Sequence, residues 1–341
     1  MTAAPPPAAG PLSLVDGFGR VHTDLRVSVT DRCTLRCTYC MPLEATFRPA
    51  GDLLSFDEIA RVVAVAARLG VRSVRLTGGE PLLRAGLPRL VARLVAVPGI
   101  DEVALTTNGL LLEAQAGQLR AAGLARVNVS LDALDAEAFR RVARADGLER
   151  VLAGLAAARA AGFAPVRVNA VSVRGVTEGQ AVALVRHCRA EGHHPRFIEF
   201  MPLDAESGWT GAQVLTGAEV RAILEAEFGP LEPVAPADPG QPAVDWRWPD
   251  GSQVGFIDPV SRPFCERCDR LRLTADGQFR NCLFSTVEWD ARGVLRGAAE
   301  GEIDARLAAM LLECTAAKRA AHGIGEPGFE RPARAMYQIG G

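Results

Sequence analysis

The sequence lacks the features that direct a protein to or across a membrane. Its first residues, Met1–Pro7, have neither a basic start nor an apolar run, so no signal peptide is predicted. No stretch approaches the ~18 consecutive apolar residues that a membrane-spanning helix requires. We therefore expect a cytoplasmic protein with no membrane partner.

An excess of charge of one sign is also missing. The chain has 38 Lys and Arg residues against 40 Asp and Glu residues, which gives a formal net charge of −2. Nucleic-acid binding usually relies on a basic field, so this balance gives no support for a nucleic-acid partner. A small polyanionic ligand needs only a local cluster of arginines, and the net charge does not exclude one.

The length of 341 residues predicts about two domains. Residues 1–19 are rich in Ala, Pro and Gly and are expected to form a flexible arm. A larger domain is predicted over residues 20–229. The six prolines of residues 230–249 indicate a linker or exposed loop. Residues 250–341 then form a smaller C-terminal domain.

Short β-branched runs alternate with amphipathic helical stretches along the larger domain. The predicted strands are Leu25–Val29, Ser73–Thr77, Glu102–Thr106, Arg126–Ser130, Val166–Val171 and Arg196–Phe200. This alternation predicts a parallel α/β sheet. Polar motifs follow most of these strands, as in TIM-type barrels, where active groups lie at the C-terminal strand ends. Six strand–helix units instead of eight would leave such a barrel open on one side.

Six of the eight cysteines fall into two tight groups, which argues for metal rather than disulfides. The first group, Cys33, Cys37 and Cys40, has the spacing C-x3-C-x2-C and follows a predicted strand. Three ligands from one loop leave a coordination position open, which is typical of a site that performs chemistry. A zinc loop or a set of buried thiols is the alternative at this point.

The second group is Cys265, Cys268 and Cys282. A structural zinc site would need a fourth ligand, and Cys314 and His322 are the nearest candidates by type. Arg270 and Arg272 lie on one face of the extended run that follows Cys268, because side chains alternate along a strand. Guanidinium groups beside an open metal site favour a ligand with phosphates at one end and a nitrogen or oxygen donor at the other.

The first cysteine group, with an aromatic residue before its last Cys, resembles the signature of the radical S-adenosylmethionine (SAM) superfamily. The run Gly78-Gly79-Glu80-Pro81 resembles a second element of that superfamily. The resemblance implies a partial (βα)6 barrel and a [4Fe–4S] cluster on the three cysteines, with SAM on the fourth iron. The matching SAM-contact positions are Tyr39, Gly79, Ser130 and Met201.

The second cysteine group makes the resemblance more specific, because it matches one family within the superfamily. The F-C-x2-C-x-R-x-R block from Phe264 and the run Cys282-Leu283-Phe284 resemble the GTP 3′,8-cyclase family of molybdenum-cofactor biosynthesis. Members of that family are lyases that convert GTP to (8S)-3′,8-cyclo-7,8-dihydroguanosine 5′-triphosphate. The resemblance implies a second [4Fe–4S] cluster, on the C-terminal cysteines, which binds guanine through its free iron. The matching GTP-contact positions are Arg26, Arg75, Thr106, Arg167, Arg270 and Arg272. At Arg167 the family usually carries Lys, so this contact departs from the pattern.

The resemblance also implies partners and a role for the chain's end. They are GTP as substrate, an external electron donor, and hand-over of the product to cyclic pyranopterin monophosphate synthase. The Gly340-Gly341 end would thread into the active site, and we expect a monomer or a homodimer.

The sequence alone leaves two other functions open. One is a radical SAM peptide-modifying enzyme, which would need more C-terminal cysteines than this chain has. The other is a zinc-stabilised interaction module, which would hold zinc and no iron.

Overall fold

The computed structural model describes residues 13–206, 208–236 and 240–340, and within these residues twelve strands form one sheet. The strands are β1 Asp24–Ser28, β2 Ser73–Thr77, β3 Glu102–Thr107, β4 Arg126–Ser130, β5 Arg167–Ser172, β6 His194–Glu199, β7 Glu232–Pro233, β8 Val244–Arg247, β9 Gln253–Ile257, β10 Arg270–Leu273, β11 Gln278–Arg280 and β12 Trp289–Asp290. The strand order is β12-β11-β10-β1-β2-β3-β4-β5-β6-β9-β8-β7.

Strands β1 to β6 are parallel and paired in chain order, as the repeated strand–helix pattern predicted. The partial-barrel prediction is confirmed, since in the described part of the chain β1 and β6 each pair with a C-terminal strand instead of with each other. β10 pairs with β1 and β9 pairs with β6, both in parallel. The C-terminal region therefore extends both edges of the core sheet.

The helices are α1 Phe56–Arg68, α2 Leu87–Val95, α3 Leu112–Ala121, α4 Ala136–Ala143, α5 Leu148–Ala160, α6 Ala181–Glu191, α7 Gly217–Phe228, α8 Ala291–Gly297, α9 Ile303–Ala316 and α10 Met336–Ile339. Helix α1 begins at a capping box in which Ser55 and Glu58 satisfy each other's backbone N–H groups. The helices before β2 and β6 end near Gly70 and Gly192, which have φ of 101° and 69°. Glycine adopts this left-handed conformation without the cost that a Cβ would add.

The strands of the core place two kinds of side chain on opposite faces. Apolar residues such as Leu25, Val27 and Leu76 are fully buried in the cluster that includes the helices. The alternate positions carry arginines and hydroxyl or amide side chains instead, among them Arg26 and Arg75. Because side chains alternate along a strand, these polar groups lie together on the other, concave face of the sheet.

Two segments are more ordered than the sequence suggested. Residues 13–19, part of the expected arm, pack on the core: Leu14 is fully buried and its N–H donates to the carbonyl of Leu69. Residues 1–12 of that arm lie outside the described residues. The Pro-rich run 230–249 contains β7 and β8, which form an edge hairpin of the sheet. Proline is tolerated at such an edge, where a ladder hydrogen bond is not needed.

None of the helices in the described residues combines the length and the apolar character that crossing a membrane requires.

Candidate active site

The first cysteine loop follows β1 and is held against the end of α4. The backbone N–H groups of Arg36 and Thr38 donate to the carbonyls of Ala143 and Val142, both at 3.0 Å. Cys33, Cys37 and Cys40 are free thiols and are partly buried. The loop is thus fixed by backbone contacts, which leaves its three sulfurs available for a ligand.

The electrostatics of these three thiols fit a cationic centre. Burial raises the pKa of Cys33, Cys37 and Cys40. At Cys37 and Cys40, negative charge on the neighbouring cysteines raises the pKa further. The backbone N–H of Leu35 lies 3.4 Å from Cys33 Sγ and can donate to it. Three clustered thiolates need positive charge to balance them, which an iron–sulfur cluster bound at this loop would supply.

In the described residues no group of three or more His, Cys, Asp or Glu side chains is arranged to hold a single metal ion. A [4Fe–4S] cluster has different requirements, because each thiolate binds its own iron.

The run Gly78-Gly79-Glu80-Pro81 packs directly on the cysteine loop. Gly79 donates its N–H to the carbonyl of Thr30 at 2.8 Å, and a Cβ on Gly79 would overlap the Arg32 carbonyl oxygen. The missing side chain at Gly79 thus lets this turn approach the backbone of the cysteine loop closely. Gly79 as a SAM contact stays a prediction.

Glu80 connects this turn to the loop after β3. Its carboxylate accepts hydrogen bonds from the hydroxyl of Thr107 and from the N–H groups of Leu82 and Asn108 at 2.7 to 2.9 Å. Burial raises the pKa of Glu80 to about 7, although these three hydrogen bonds lower it. Asn108 in turn donates to the Thr34 hydroxyl at 2.9 Å. Glu80 thereby links the loops that follow three adjacent strands.

A cavity beside the first cysteine loop is lined by Cys37, Tyr39, Asn108, Ser130 and Asp132, among others. The Tyr39 hydroxyl donates to Asp132 Oδ2 at 2.7 Å, and Asp132 Oδ1 accepts from the backbone N–H of Val171 at 2.7 Å. Burial raises the pKa of Asp132 to about 6. Asp132 was not among the predicted site residues, although its position two residues after β4 was a usable signal.

Met201, the fourth predicted SAM contact, does not line that cavity. It packs instead against a small buried cluster formed by Leu203, Phe284 and Ile339. Cys282 packs against the same cluster. The structure therefore brings Met201 near the second cysteine group.

The predicted GTP-contact positions lie on the polar face of the sheet, in two registers that are two residues apart. Arg26 on β1 is paired with Arg272 on β10 and with Arg75 on β2. Further along the sheet, the Asn128 position of β4 is paired with Thr106 on β3 and Arg167 on β5. Arg75 is paired with Ala104 on β3, so Thr106 lies two residues further along that strand. Together these positions form a row on one face of five core strands and β10, with Arg270 two residues before Arg272 on the same face.

This row holds more positive charge than its surroundings neutralise. Burial lowers the pKa of Arg26, Arg75, Arg167 and Arg272, and neighbouring arginines lower each of them further. Among the described residues, buried guanidinium nitrogens without a hydrogen-bond partner include Arg26 Nε and two nitrogens of Arg75. Like charges buried together are costly unless an anion joins them. The charge and burial of the row are suited to a polyanionic ligand.

Two further arginines, Arg126 and Arg196, were missed by the sequence analysis. The positive charge of each lowers the pKa of Arg167. Arg196 is 6% exposed, and its Nε has no hydrogen-bond partner. Their positions on β4 and β6, in phase with the selected arginines, were the available signal.

The second cysteine loop precedes β10 and is completed by Cys282, just after β11. Cys265 and Cys268 lie at the ends of a single 3-10 turn. Burial raises the pKa of Cys265, and negative charge on Cys282 and Cys268 raises it further. The pKa of Cys268 is lowered, since the charges of Arg270 and Lys318 outweigh the effect of its burial. Three mutually close, free thiols suit a cluster here as they do in the first loop.

The zinc alternative depended on a fourth ligand, and neither candidate is suited to that role. Both ring nitrogens of His322 are engaged: Nε2 with the carbonyl of Pro259 at 2.9 Å and Nδ1 with the N–H of Ile324 at 3.0 Å. Cys314 is fully buried within the main hydrophobic core.

The end of the chain lies between the two cysteine groups. The Tyr337 backbone donates to Cys40, while Ile339 is fully buried in the cluster that Cys282 joins. Arg272 donates to the carbonyl of Gly340. Gly340 has φ of 73°, and a Cβ there would overlap the hydroxyls of Ser28 and Thr77. Gly340 thus occupies space at the arginine row, and Gly341 lies outside the described residues.

Comparison with known proteins agrees with this geometry. Residues 27–188 match the family model of the radical SAM superfamily, and residues 193–324 match the model named Molybdenum Cofactor Synthesis C. Streptococcus suis SuiB bound to S-adenosylmethionine superposes with a TM-score of 0.60 at 15% identity over 80% of this chain. This chain spans 64% of that structure's chain, and the likeness concerns the fold alone.

The fold and the first family match define the class: this is a radical SAM protein, and that class implies a [4Fe–4S] cluster and SAM. The full-length relatives are more specific. A GTP 3′,8-cyclase from Mycobacterium sp. (strain KMS) is 50% identical, with 99% of this chain and 96% of that protein covered. One from Rhodopirellula baltica is 44% identical, with 97% and 93% covered. The chain belongs to the GTP 3′,8-cyclase family.

Proposed function

We propose that this chain is a GTP 3′,8-cyclase, a lyase that converts GTP to (8S)-3′,8-cyclo-7,8-dihydroguanosine 5′-triphosphate for molybdenum-cofactor biosynthesis. The observation that carries the proposal is the row of arginines around Arg26, Arg75 and Arg272, on adjacent parallel strands. A cysteine loop lies at each side of that row, one after β1 and one before β10. A nucleotide bound there would touch both loops.

The arginine row binds the triphosphate. Guanidinium groups form charge-assisted, often bidentate hydrogen bonds with phosphate oxygens. Arg270 and Arg272 are 9% and 6% exposed, so those bonds form where water competes poorly. Arg167, where the family usually carries Lys, adds a planar guanidinium group at the far end of the row.

Cys33, Cys37 and Cys40 hold the first cluster, and Tyr39, Gly79, Ser130 and Met201 contact SAM. When bound, the reduced cluster and SAM supply the radical chemistry. The protein's own contribution is to position the substrate and exclude water. Tyr39 and Asp132 hold one wall of the cavity in place through their hydrogen bond.

Cys265, Cys268 and Cys282 hold a second [4Fe–4S] cluster, whose free iron binds the guanine. The donor set supports this assignment: all three thiols are free, Cys268 and Cys282 lie close enough to raise the pKa of Cys265, and arginines lie directly beside them. The base then faces the second loop while the ribose faces SAM.

The Gly340-Gly341 end belongs to the substrate site in this proposal, and the support is that Gly340 lies against Ser28, Thr77 and Arg272. The same proposal divides the chain into a core over residues 20–229, a connecting segment over residues 230–249 and a C-terminal domain over residues 250–341. It also includes two partners: an external electron donor, and cyclic pyranopterin monophosphate synthase, the next enzyme, which receives the product.

The test is anaerobic reconstitution of the full chain with iron and sulfide, followed by incubation with SAM, dithionite and GTP. The hydrogen that leaves C3′ of GTP is carried away in 5′-deoxyadenosine and is replaced by an electron from the donor and a proton. We therefore expect a nucleotide with the mass of GTP and a different chromatographic retention, together with 5′-deoxyadenosine. Guanosine, which lacks the phosphates, is the control substrate and should not be converted. Unchanged GTP in a sample that carries both clusters would refute the activity.

A further inference from the structure

Lys318 is the single lysine of a chain whose other basic residues are all arginines. It follows α9 and is 5% exposed. Burying an ammonium group costs several kcal/mol unless polar partners surround it. Polar groups around the Lys318 ammonium must therefore compensate the cost of its burial.

The ammonium group of Lys318 has three acceptors within reach. It donates to the carbonyl of Arg270 at 2.8 Å and to Cys268 Sγ at 3.4 Å. The third is Nδ1 of His22, at 3.5 Å. An ammonium has three N–H donors and no acceptor, so these contacts use its full capacity.

The geometry also fixes the state of His22. Since Lys318 can only donate, Nδ1 of His22 must accept, and the ring proton lies on Nε2. Nε2 lies 3.0 Å from Asp16 Oδ2, which accepts that proton's hydrogen bond. A chain of hydrogen bonds thus runs from Asp16 through His22 and Lys318 to Cys268.

A second connection from Asp16 holds the rest of the second cysteine loop. Arg20 donates through Nε to Asp16 Oδ2 at 2.6 Å and through Nη1 to the carbonyl of Cys265 at 2.7 Å. It also donates to the carbonyls of Arg319 and Ala320, directly after Lys318. The N-terminal segment around Asp16 therefore fixes both the loop and the lysine that faces it.

We propose that Lys318 is a positioning residue for the second cluster: its ammonium, held by the Asp16–His22 pair, hydrogen-bonds the Cys268 thiolate and raises the reduction potential of that cluster. The inference rests on the proposed function, because it needs a cluster on Cys265, Cys268 and Cys282. Net charge and hydrogen bonds to the cysteine sulfurs set the potentials of such clusters. A fixed positive charge stabilises the reduced, more negative state.

The test uses full-length protein with Cys33, Cys37 and Cys40 changed to Ala, which leaves the second cluster alone to be measured. Iron and sulfide content of this parent reports on the proposed function. If the parent holds no cluster, the second-cluster assignment and this inference fall together. If it holds one, everything measured afterwards bears on Lys318 alone.

Redox titration followed by electron paramagnetic resonance then compares Lys318→Met with the parent. Met fills similar space without the charge. We expect the ratio of reduced to oxidised cluster at a fixed potential to fall at least tenfold, which for one electron is a midpoint potential lower by about 59 mV. Lys318→Arg should recover most of the loss. Arg319→Met, which removes a charge from the neighbouring, exposed side chain, should leave the midpoint unchanged.

A second measurement needs no variant at Lys318 and covers the case in which Lys318→Met fails to fold. Because the chain has one lysine, growth on lysine labelled with 15N at Nζ places the label at a single site. Electron–nuclear double resonance of the reduced parent should show a 15N coupling to the cluster. No coupling, or an unchanged midpoint in a folded and loaded Lys318→Met, overturns the proposal.

Discussion

Arg26 on β1 and Arg272 on β10 are paired in register on adjacent parallel strands, although 246 positions separate them in the chain (272 − 26). Burial lowers the pKa of Arg272, and the charge of Arg26 is the next cause. Two cations held together in this way are stabilised by an anion between them. The pair explains why the site should prefer a nucleotide with phosphates to a nucleoside.

Replacement of Arg270 and Arg272 by Ala should therefore destroy GTP binding while SAM cleavage stays measurable. A hydrogen bond to a charged group contributes about 1.5–3 kcal/mol, so we expect each replacement to weaken GTP binding by at least about tenfold. Isothermal titration with GTP measures the loss. Arg267→Ala, in the same loop but exposed, is the matched control and should bind GTP normally. Wild-type affinity in the double variant would remove the phosphate assignment.

Substitution of Gly340 by Ala should greatly reduce turnover without loss of iron. The substitution adds a Cβ that overlaps the hydroxyls of Ser28 and Thr77 and places Ala at φ of 73°, which alone costs about 1–2 kcal/mol. Gly328→Ala serves as the control, since φ there is 88° and a Cβ meets nothing within 4 Å. Product formation and iron content are measured together. Deletion of Gly340 and Gly341 should likewise abolish turnover with both clusters retained, and unchanged turnover after that deletion would contradict the role of the tail.

Substitution of Gly79 by Ala should remove the first cluster selectively. The added Cβ would overlap the Arg32 carbonyl and lie 2.7 Å from the Asp31 carbonyl, so the cysteine loop must move. We expect iron content to fall towards half of the wild-type value. Gly51→Ala, where a Cβ meets nothing within 4 Å, should keep the full amount. A fully loaded Gly79→Ala protein would show that the contact between the two loops does not shape the cluster site.

Stability should decrease as the pH falls below neutrality, in part because of His22. Burial and the charge of Lys318 together lower the pKa of His22 to about 4, whereas an unfolded histidine titrates near ~6.5. Between these values the unfolded chain binds more protons, so acid favours unfolding by up to about 3 kcal/mol.

Urea unfolding at pH 7.5 and pH 5, under anaerobic conditions, measures that effect. His22→Gln should reduce the difference in unfolding free energy between the two pH values. Burial also lowers the pKa of His193 to about 4, so the double variant with His193→Gln should reduce the difference further. An equal pH dependence in wild type and His22→Gln would show that His22 is not held neutral.

The core strands could be predicted because their signal is local. Ser73–Thr77 and Arg126–Ser130 have the predicted bounds, while β6 begins at His194 instead of Arg196. The shift has a physical reason: Pro195 weakens the strand signal, yet its missing N–H is tolerated because β9 pairs with β6 only from Arg196 onwards.

The contacts that complete the site could not be predicted, since they join distant parts of the chain. Nothing in the sequence near Arg270 indicates that its strand lies beside β1. The meeting of His22 with Lys318 depends on that same pairing, because it brings the N-terminal segment to the second cysteine loop. Single-sequence patterns identify which residue types carry chemistry, whereas parallel pairing across the sheet decides which of them meet.

The central claim is that one nucleotide lies between the two cysteine loops with its ribose C3′ towards SAM. The most direct measurement uses GTP deuterated at C3′, incubated with the reconstituted protein, SAM and dithionite, with mass analysis of the 5′-deoxyadenosine formed. The account predicts that the wild type forms deuterated 5′-deoxyadenosine at the same rate as the cyclic nucleotide. Cyclic product accompanied by unlabelled 5′-deoxyadenosine would contradict it.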